Sequence, residues 1–372
     1  MEHTGKFGCL SVTAKLLQML TTNHATMYNT RSNRENQNRL CRFDRIKLGG
    51  VILILVWLGG CATPQTHALL KLNPNHLPQQ VELAEVPYYP QESHQCGPAA
   101  LATVLNAGGT RVTPQDLTPE VYLPGREGSL QVEMLAATRR NGLLAYELSP
   151  RLDDLLREVA AGSPVVVLQN LGLSWYPVWH YAVVVGFDLE HEEIILRSGR
   201  ERRQVMYLST FEHTWKRSGY WAMLALPPDK VPQTVDEGKY VAAAIALEKS
   251  GKPSVAEVAY DASLKRWPLN LAARIGLGNA AYAQGEMQRA EIAYRQATLD
   301  HSDSDIAFNN LAQALADQQR YAEALNAAHQ AVNLGGVVQA AARETLQQIS
   351  LAAGKLRVTT NTNTAATLST LK

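Results

Sequence analysis

Cys96 stands in "PYYPQESHQCGPAALATVL", between a polar approach that contains Gln91 and an apolar run with helical spacing. A thiolate is a nucleophile, and the unpaired N–H groups and macrodipole of a helix N-terminus stabilise it. Pro98 suits the first turn of a helix and Gly108-Gly109 its end, so the helix predicted over CGPAALATVLNAGG carries Cys96 at its start. Gly97 allows a tight turn beside a substrate, while the Cys96 N–H and the Gln91 side-chain amide can together hydrogen-bond an oxyanion.

The thiol needs a base, and His180 stands out. It follows the loop GLSWYPVW and opens the β-branched run HYAVVVGF, which places it at a strand edge beside a cleft with Trp175, Tyr176 and Trp179 as candidate lining. His191 reads as a hairpin turn, His213, His301 and His329 as helix surface, and His94 is too near Cys96 to face it without an awkward loop. A lone cysteine on an apolar helix, or a lone histidine in a valine-rich strand, is ordinarily packing. Their combination with Gln91 and Gly97-Pro98 favours nucleophilic catalysis. No Cys-x-x-Cys or His-Glu-x-x-His spacing offers metal ligands and no Gly-rich loop cradles a phosphate, so the expected chemistry needs no cofactor.

These residues must be positioned by a core, and 372 residues suffice for about two domains at roughly 150 residues each. With 46% hydrophobic and 19% charged residues the composition is globular, and a net charge of +1 gives no field to gather nucleic acid. Basic Arg42, Arg45 and Lys47, an apolar run from Leu48 to Leu58 and small residues before Cys61 form the layout of an export signal. That run falls short of the ~20 apolar residues of a spanning helix. From Met1 the segment is unusually long, which points to a later translation start, with Met27 as a candidate. Cys9 and Cys41 fall in it, so the exported chain keeps only Cys61 and Cys96, and no disulfide is expected.

The expected organisation is an N-terminal extension and signal over 1–60, a polar tether over 61–80, a catalytic domain over 81–226, a proline-bearing linker over 227–236, helical repeats over 237–338 and a terminal helix with a disordered tail over 339–372. Within 81–226 helices are also predicted over SLQVEMLAATRRNG and over SPRLDDLLREVAAG, the latter opened by Ser149 and Pro150. SPVVVLQN, WHYAVVVGFD, EEIILRSG and RQVMYLS suggest an antiparallel meander, Ser209 and Glu212 a capping box, and GYWAMLAL a last strand. Beyond the linker, Ala256, Ala290 and Ala324 recur every 34 residues, as do Tyr260, Tyr294 and Ala328, then Ser263, Ala297 and Ala331. That is the tetratricopeptide period, framed at 237–270, 271–304 and 305–338.

Leu58-Gly59-Gly60-Cys61 resembles the bacterial lipobox, which implies acylation of Cys61, and Ala62 after it implies the periplasmic face of the outer membrane. A helix-borne cysteine followed by a strand-borne histidine is the order found in papain-like peptidases. PQESHQCGPAALATVL with WHYAVVVGFD resembles their bacteriocin-processing branch, whose members remove double-glycine leaders. With lipobox and repeats, the whole looks like a family of bacterial lipoprotein cysteine peptidases: an α+β papain-like domain with an antiparallel sheet, then an all-α solenoid. The resemblance implies Cys96 as nucleophile, His180 as general base and acid, and Gln91 as oxyanion glutamine, five residues before the cysteine where six is usual. It also implies a peptide or protein substrate and a protein partner for the repeats. Where the orienting Asp or Asn is expected, this chain reads Arg197-Ser198-Gly199, so Ser198 or a backbone carbonyl would hold the imidazole. The missing acid keeps a weak or inactive peptide-binding scaffold open as an alternative, and a Cys-His acyltransferase stays open because acyl-enzyme formation is shared and only the acceptor differs.

Overall fold

The computed structural model describes residues 63–72, 77–91 and 95–369, without the side chains of 72 and 356–369. The export segment, Cys61 and His94 lie outside the described residues.

The domain before residue 227 is built on a seven-stranded antiparallel sheet. Its strands are β1 (Gln80–Glu82), β4 (Leu144–Glu147), β5 (Val165–Asn170), β6 (Trp179–Asp188), β7 (Glu193–Ser198), β8 (Glu201–Tyr207) and β9 (Ala222–Leu226), in the order β4-β9-β5-β6-β7-β8 with β1 beside β6. A small ribbon, β2 (Tyr122–Leu123) with β3 (Gly128–Ser129), lies apart from it. Both faces of the sheet are covered, which is why β5 and β6 read as nearly unbroken apolar runs rather than alternating ones. Val166, Leu168, Tyr181, Val183 and Val185 pack with helices α2 (Cys96–Ala107), α3 (Pro114–Val121) and α4 (Gln131–Arg140). Val165, Val167, Ala182 and Val184 join the opposite core with α5 (Leu152–Ala160) and α6 (Leu208–Lys216).

Several expectations are corrected by contacts that are remote in sequence. Residues 64–72 of the expected tether form helix α1 (Pro64–Leu72), with Leu69 buried in the core. Its first N–H groups, from Gln65 (3.0 Å) and Thr66 (2.6 Å), donate to the carboxylate of Glu212, which is fully buried. Glu212 therefore caps α1, and the capping box expected with Ser209 does not form: α6 has Tyr207 at its N-cap and no side-chain cap. Helix α5 begins at Leu152 rather than at Ser149-Pro150, its first N–H bonded to Gln65 Oε1 at 2.6 Å. Helix α3 and strand β4 escaped sequence reading altogether. Thr113 and Asp116 cap α3 reciprocally, with Pro114 in its first turn.

The stretch 227–236 is held in place: Gln233 N and Thr234 N donate to the Glu158 carboxylate, and Asp236 N to the Tyr146 hydroxyl at 2.9 Å. The repeats start from that clamp. Each frame holds a helix pair: α7 (Glu237–Lys249) with α8 (Pro253–Arg266), α9 (Leu271–Ala283) with α10 (Met287–Asp300), and α11 (Asp305–Asp317) with α12 (Tyr321–Leu334). α13 (Gln339–Ser369) follows, where a terminal helix with a tail was expected. All nine residues of the 34-residue register are buried, and Tyr240, Val241, Ala244 and Leu247 of α7 share a core with Leu144 and Tyr146 of β4. A polar ladder repeats with the same period: the carboxylates of Glu257 and Glu291 accept from Gln284 and Gln318 of the next pair. Small residues allow the close approach, since a Cβ on Gly276 would meet the Tyr260 ring at 2.3 Å and one on Gly278 the Tyr294 ring.

Candidate active site

Helix α2 starts at Cys96, as predicted, with Pro98 in its first turn. The thiol is half-buried, and burial raises its pKa above the ordinary value, opposed by the backbone N–H groups of Tyr181, Gly97 and Cys96 itself. The sulfur thus sits against β6 where Tyr181 begins its buried run.

His180 is the second residue of β6, and its Nε2 lies 2.9 Å from Ser198 Oγ at the end of β7. The two meet because the β6–β7 hairpin turns at Glu190 and its neighbours, returning Arg197 opposite Val183 and Ser198 toward the start of β6. Asp188 lies at the far end, paired with Glu193 and bonded to His191. Burial alone lowers the His180 pKa, so the neutral imidazole is favoured. Nε2 engaged with Ser198 leaves Nδ1 to meet a thiol proton. Among the described residues no hydrogen bond joins the sulfur to the ring.

Gln91 clamps the turn after β7: its N–H donates to Gly199 O at 2.9 Å and its Oε1 accepts from Gly199 N at 3.0 Å. Gly199 has φ +58° in that two-residue turn, where a side chain is strained. The Gln91 Nε2 group donates to Tyr181 O at 3.4 Å, and an amide nitrogen has a second hydrogen to offer.

Gln91, Cys96, His180, Tyr176 and Trp179 line one cleft of about 1060 Å³, together with Ser129, Arg126 and Arg200. Of the three aromatic candidates, Trp175 is the exception: it is outside this lining and 80% exposed. Ser129, Arg126 and Arg200 went unnoticed in the sequence because only the ribbon and the β7–β8 turn bring them to the cleft.

Two substitutions probe this geometry. A Cβ on Gly97 would stand 2.1 Å from Ser129 Oγ and 2.6 Å from its Cβ. Gly97→Ala should therefore slow alkylation of Cys96 roughly tenfold by shifting the helix start, and adding Ser129→Gly should restore much of the rate. Measured alkylation of the double variant no faster than of the single would refute the steric account. Ser198→Ala removes one neutral hydrogen bond, worth about 1 kcal/mol, so a roughly fivefold loss at neutral pH is expected. A thousandfold loss would show instead that Ser198 does the work of an acid.

Residues 83–223 match the Peptidase_C39 like family, and residues 241–305 match the tetratricopeptide repeat family. This is a C39-like domain followed by tetratricopeptide repeats. No curated protein matches the chain. Among solved structures, a C39-like peptidase from Bacillus anthracis is 18% identical, covering 42% of this chain and 100% of its own, with a TM-score of 0.35. The type III secretion chaperone SycD of Yersinia enterocolitica, in complex with a peptide of the translocator YopD, is 19% identical, covering 31% of this chain and 93% of its own, with a TM-score of 0.30. The C39-like domain spans the sheet from just after β1 to the start of β9, and holds Gln91, Cys96, His180 and Ser198. The chain is a peptidase-like protein with repeats of a protein-binding kind.

Proposed function

We propose that the chain is a cysteine peptidase, tethered through lipid on Cys61 at the periplasmic face of the outer membrane. The observation that carries the catalytic part is the His180 Nε2 to Ser198 Oγ contact of 2.9 Å in a cleft that Cys96 shares. In this reading His180 Nδ1 takes the thiol proton as the sulfur attacks a peptide carbonyl carbon. The oxyanion is met by the Cys96 N–H and by the Gln91 Nε2 hydrogen not used by Tyr181 O. The tetrahedral adduct collapses as the C–N bond breaks, His180 returns the proton to the leaving amine, and a thioester remains. Water, deprotonated by the same imidazole, hydrolyses that thioester and frees the thiol. The repeats bind a protein partner or the substrate, through grooves such as the one lined by Arg274, Leu277, Arg289 and Ile292.

A second reading, the peptide-binding scaffold, draws on Ser198 standing where an acid would orient His180. Incubation with a peptide thioester separates the readings. Hydrolysis through an acyl group found on the Cys96 peptide supports the enzyme, preferential transfer to an added amine supports an acyltransferase, and no acylation leaves the scaffold.

A further inference from the structure

The hairpin Leu171–Val178, between β5 and His180, carries a surface that the catalytic reading does not use. Leu171, Leu173, Trp175, Tyr176, Val178 and Trp179 are all between 48% and 80% exposed, and residues 171–179 contain no charge. It is an ordered structure. Asn170, 2% exposed, accepts from Gly172 N and Val178 N, both at 2.9 Å, and Leu173 pairs with Tyr176 through two backbone bonds. Only its second half, from Tyr176 to Trp179, faces the cleft, so a peptide bound there leaves Leu171, Leu173 and Trp175 uncovered.

The start of the described chain lies near the same place. Helix α6 holds the N-terminus of α1 through Glu212 and the base of the hairpin through Thr214, which accepts from Gln169 at 2.7 Å. Arg217, one residue past α6, donates to the carbonyls of Asn170 and Gly172. Glu212 and Arg217 are about 7.5 Å apart along the axis at helical rise. Cys61 precedes Pro64 by three residues, a reach of at most about 11 Å in extended chain.

We infer that the hairpin is a second membrane contact: Leu171, Leu173 and Trp175 enter the interface of a lipid surface, and the mouth of the cleft lies beside the bilayer. Exposed apolar patches of this kind mark contact sites, and Trp and Tyr favour the headgroup level. More than one acyl chain on Cys61 anchors the protein stably, and a second apolar contact close to it fixes how the domain lies on the surface. The inference rests on the proposed anchor only for the orientation, because the hairpin can be read separately.

The test reconstitutes the full chain into phosphatidylcholine–phosphatidylglycerol vesicles containing dibrominated phosphatidylcholine, and measures quenching of tryptophan emission in the parent and in Trp175→Phe. Trp175 is so exposed that the fold is not at stake. The quenched signal should fall at least about twofold in Trp175→Phe. In the Cys61→Ser chain, Leu173→Ser with Trp175→Ser should weaken vesicle partition by at least about tenfold. The mass of the peptide bearing Cys61 reads acylation independently, so loss of the anchor and loss of the hairpin contact are separate results. Equal quenching in parent and Trp175→Phe would overturn the inference. So would a Trp175 signal shielded only when peptide is added, which would make the hairpin a substrate-binding element.

Discussion

Replacing His180 with alanine should slow the reaction of Cys96 with a peptide electrophile at pH 7 by about 10²- to 10⁴-fold, the span of a positioned base. Burial raises the pKa of the Cys96 thiol, so very little thiolate is available at neutral pH without a base. It lowers the pKa of His180, with no carboxylate among the described residues opposing it, so the resting pair is thiol and neutral imidazole rather than a pre-formed ion pair. Protonation disables the base only below the ordinary imidazole value of about 6.5, so the acidic limb of the rate profile falls below that pH. Above neutrality the parent rate should hold a plateau, because thiol with neutral imidazole stays the dominant form, and should rise again only where free thiolate accumulates toward the elevated thiol pKa. In His180→Ala the acidic limb should vanish and only the slow thiolate rise remain. Alkylation read at the tryptic peptide containing Cys96 checks this, and similar profiles in the two proteins would exclude His180 as the base.

Glu212→Ala should destabilise the fold by about 2–4 kcal/mol, the cost of removing a buried charged acceptor from partners that stay buried. Both carboxylate oxygens of this fully buried side chain take N–H groups of α1, whose Gln65 in turn caps α5. Loss of Glu212 therefore loosens α1 and the α5 start together, while the Cys96 cleft, lined by other elements, keeps its shape. Urea denaturation gives the magnitude, and limited proteolysis should cut first within residues 63–72. Glu212→Gln, which retains one acceptor, should lose less. A Glu212→Ala protein of parental stability would mean that α1 does not depend on this carboxylate.

Much of this arrangement was legible because it depends on local sequence. Gly97-Pro98 and Gly108 bound a helix wherever it is placed, and the valines of β6 and the 34-residue alanine register have only one burial pattern that fits them. Ser198 could be brought to His180 from the hairpin turn alone. What stayed hidden depends on partners far away in the chain. Glu212 three residues after Ser209 looks like a capping box, yet its oxygens face α1 some 146 residues earlier. The stretch after Cys61 reads as polar tether because its anchoring lies in α5 and α6. Helix α3 is disguised by Pro114 and Pro119, the first of which is compatible with a helix start. In the cleft, Ser129 and Arg200 are ordinary loop residues until the ribbon and the Gly199 turn place them.

In the proposed function this cleft breaks peptide bonds through Cys96. The most direct measurement incubates the full chain with a mixture of unstructured peptides and identifies new termini by mass spectrometry, alongside Cys96→Ser. Cleavage by the parent, absent in Cys96→Ser and reduced in His180→Ala, is the predicted result. Cleavage that survives Cys96→Ser, or intact peptides with a parent protein whose Cys96 alkylates no faster than a free thiol, would contradict it.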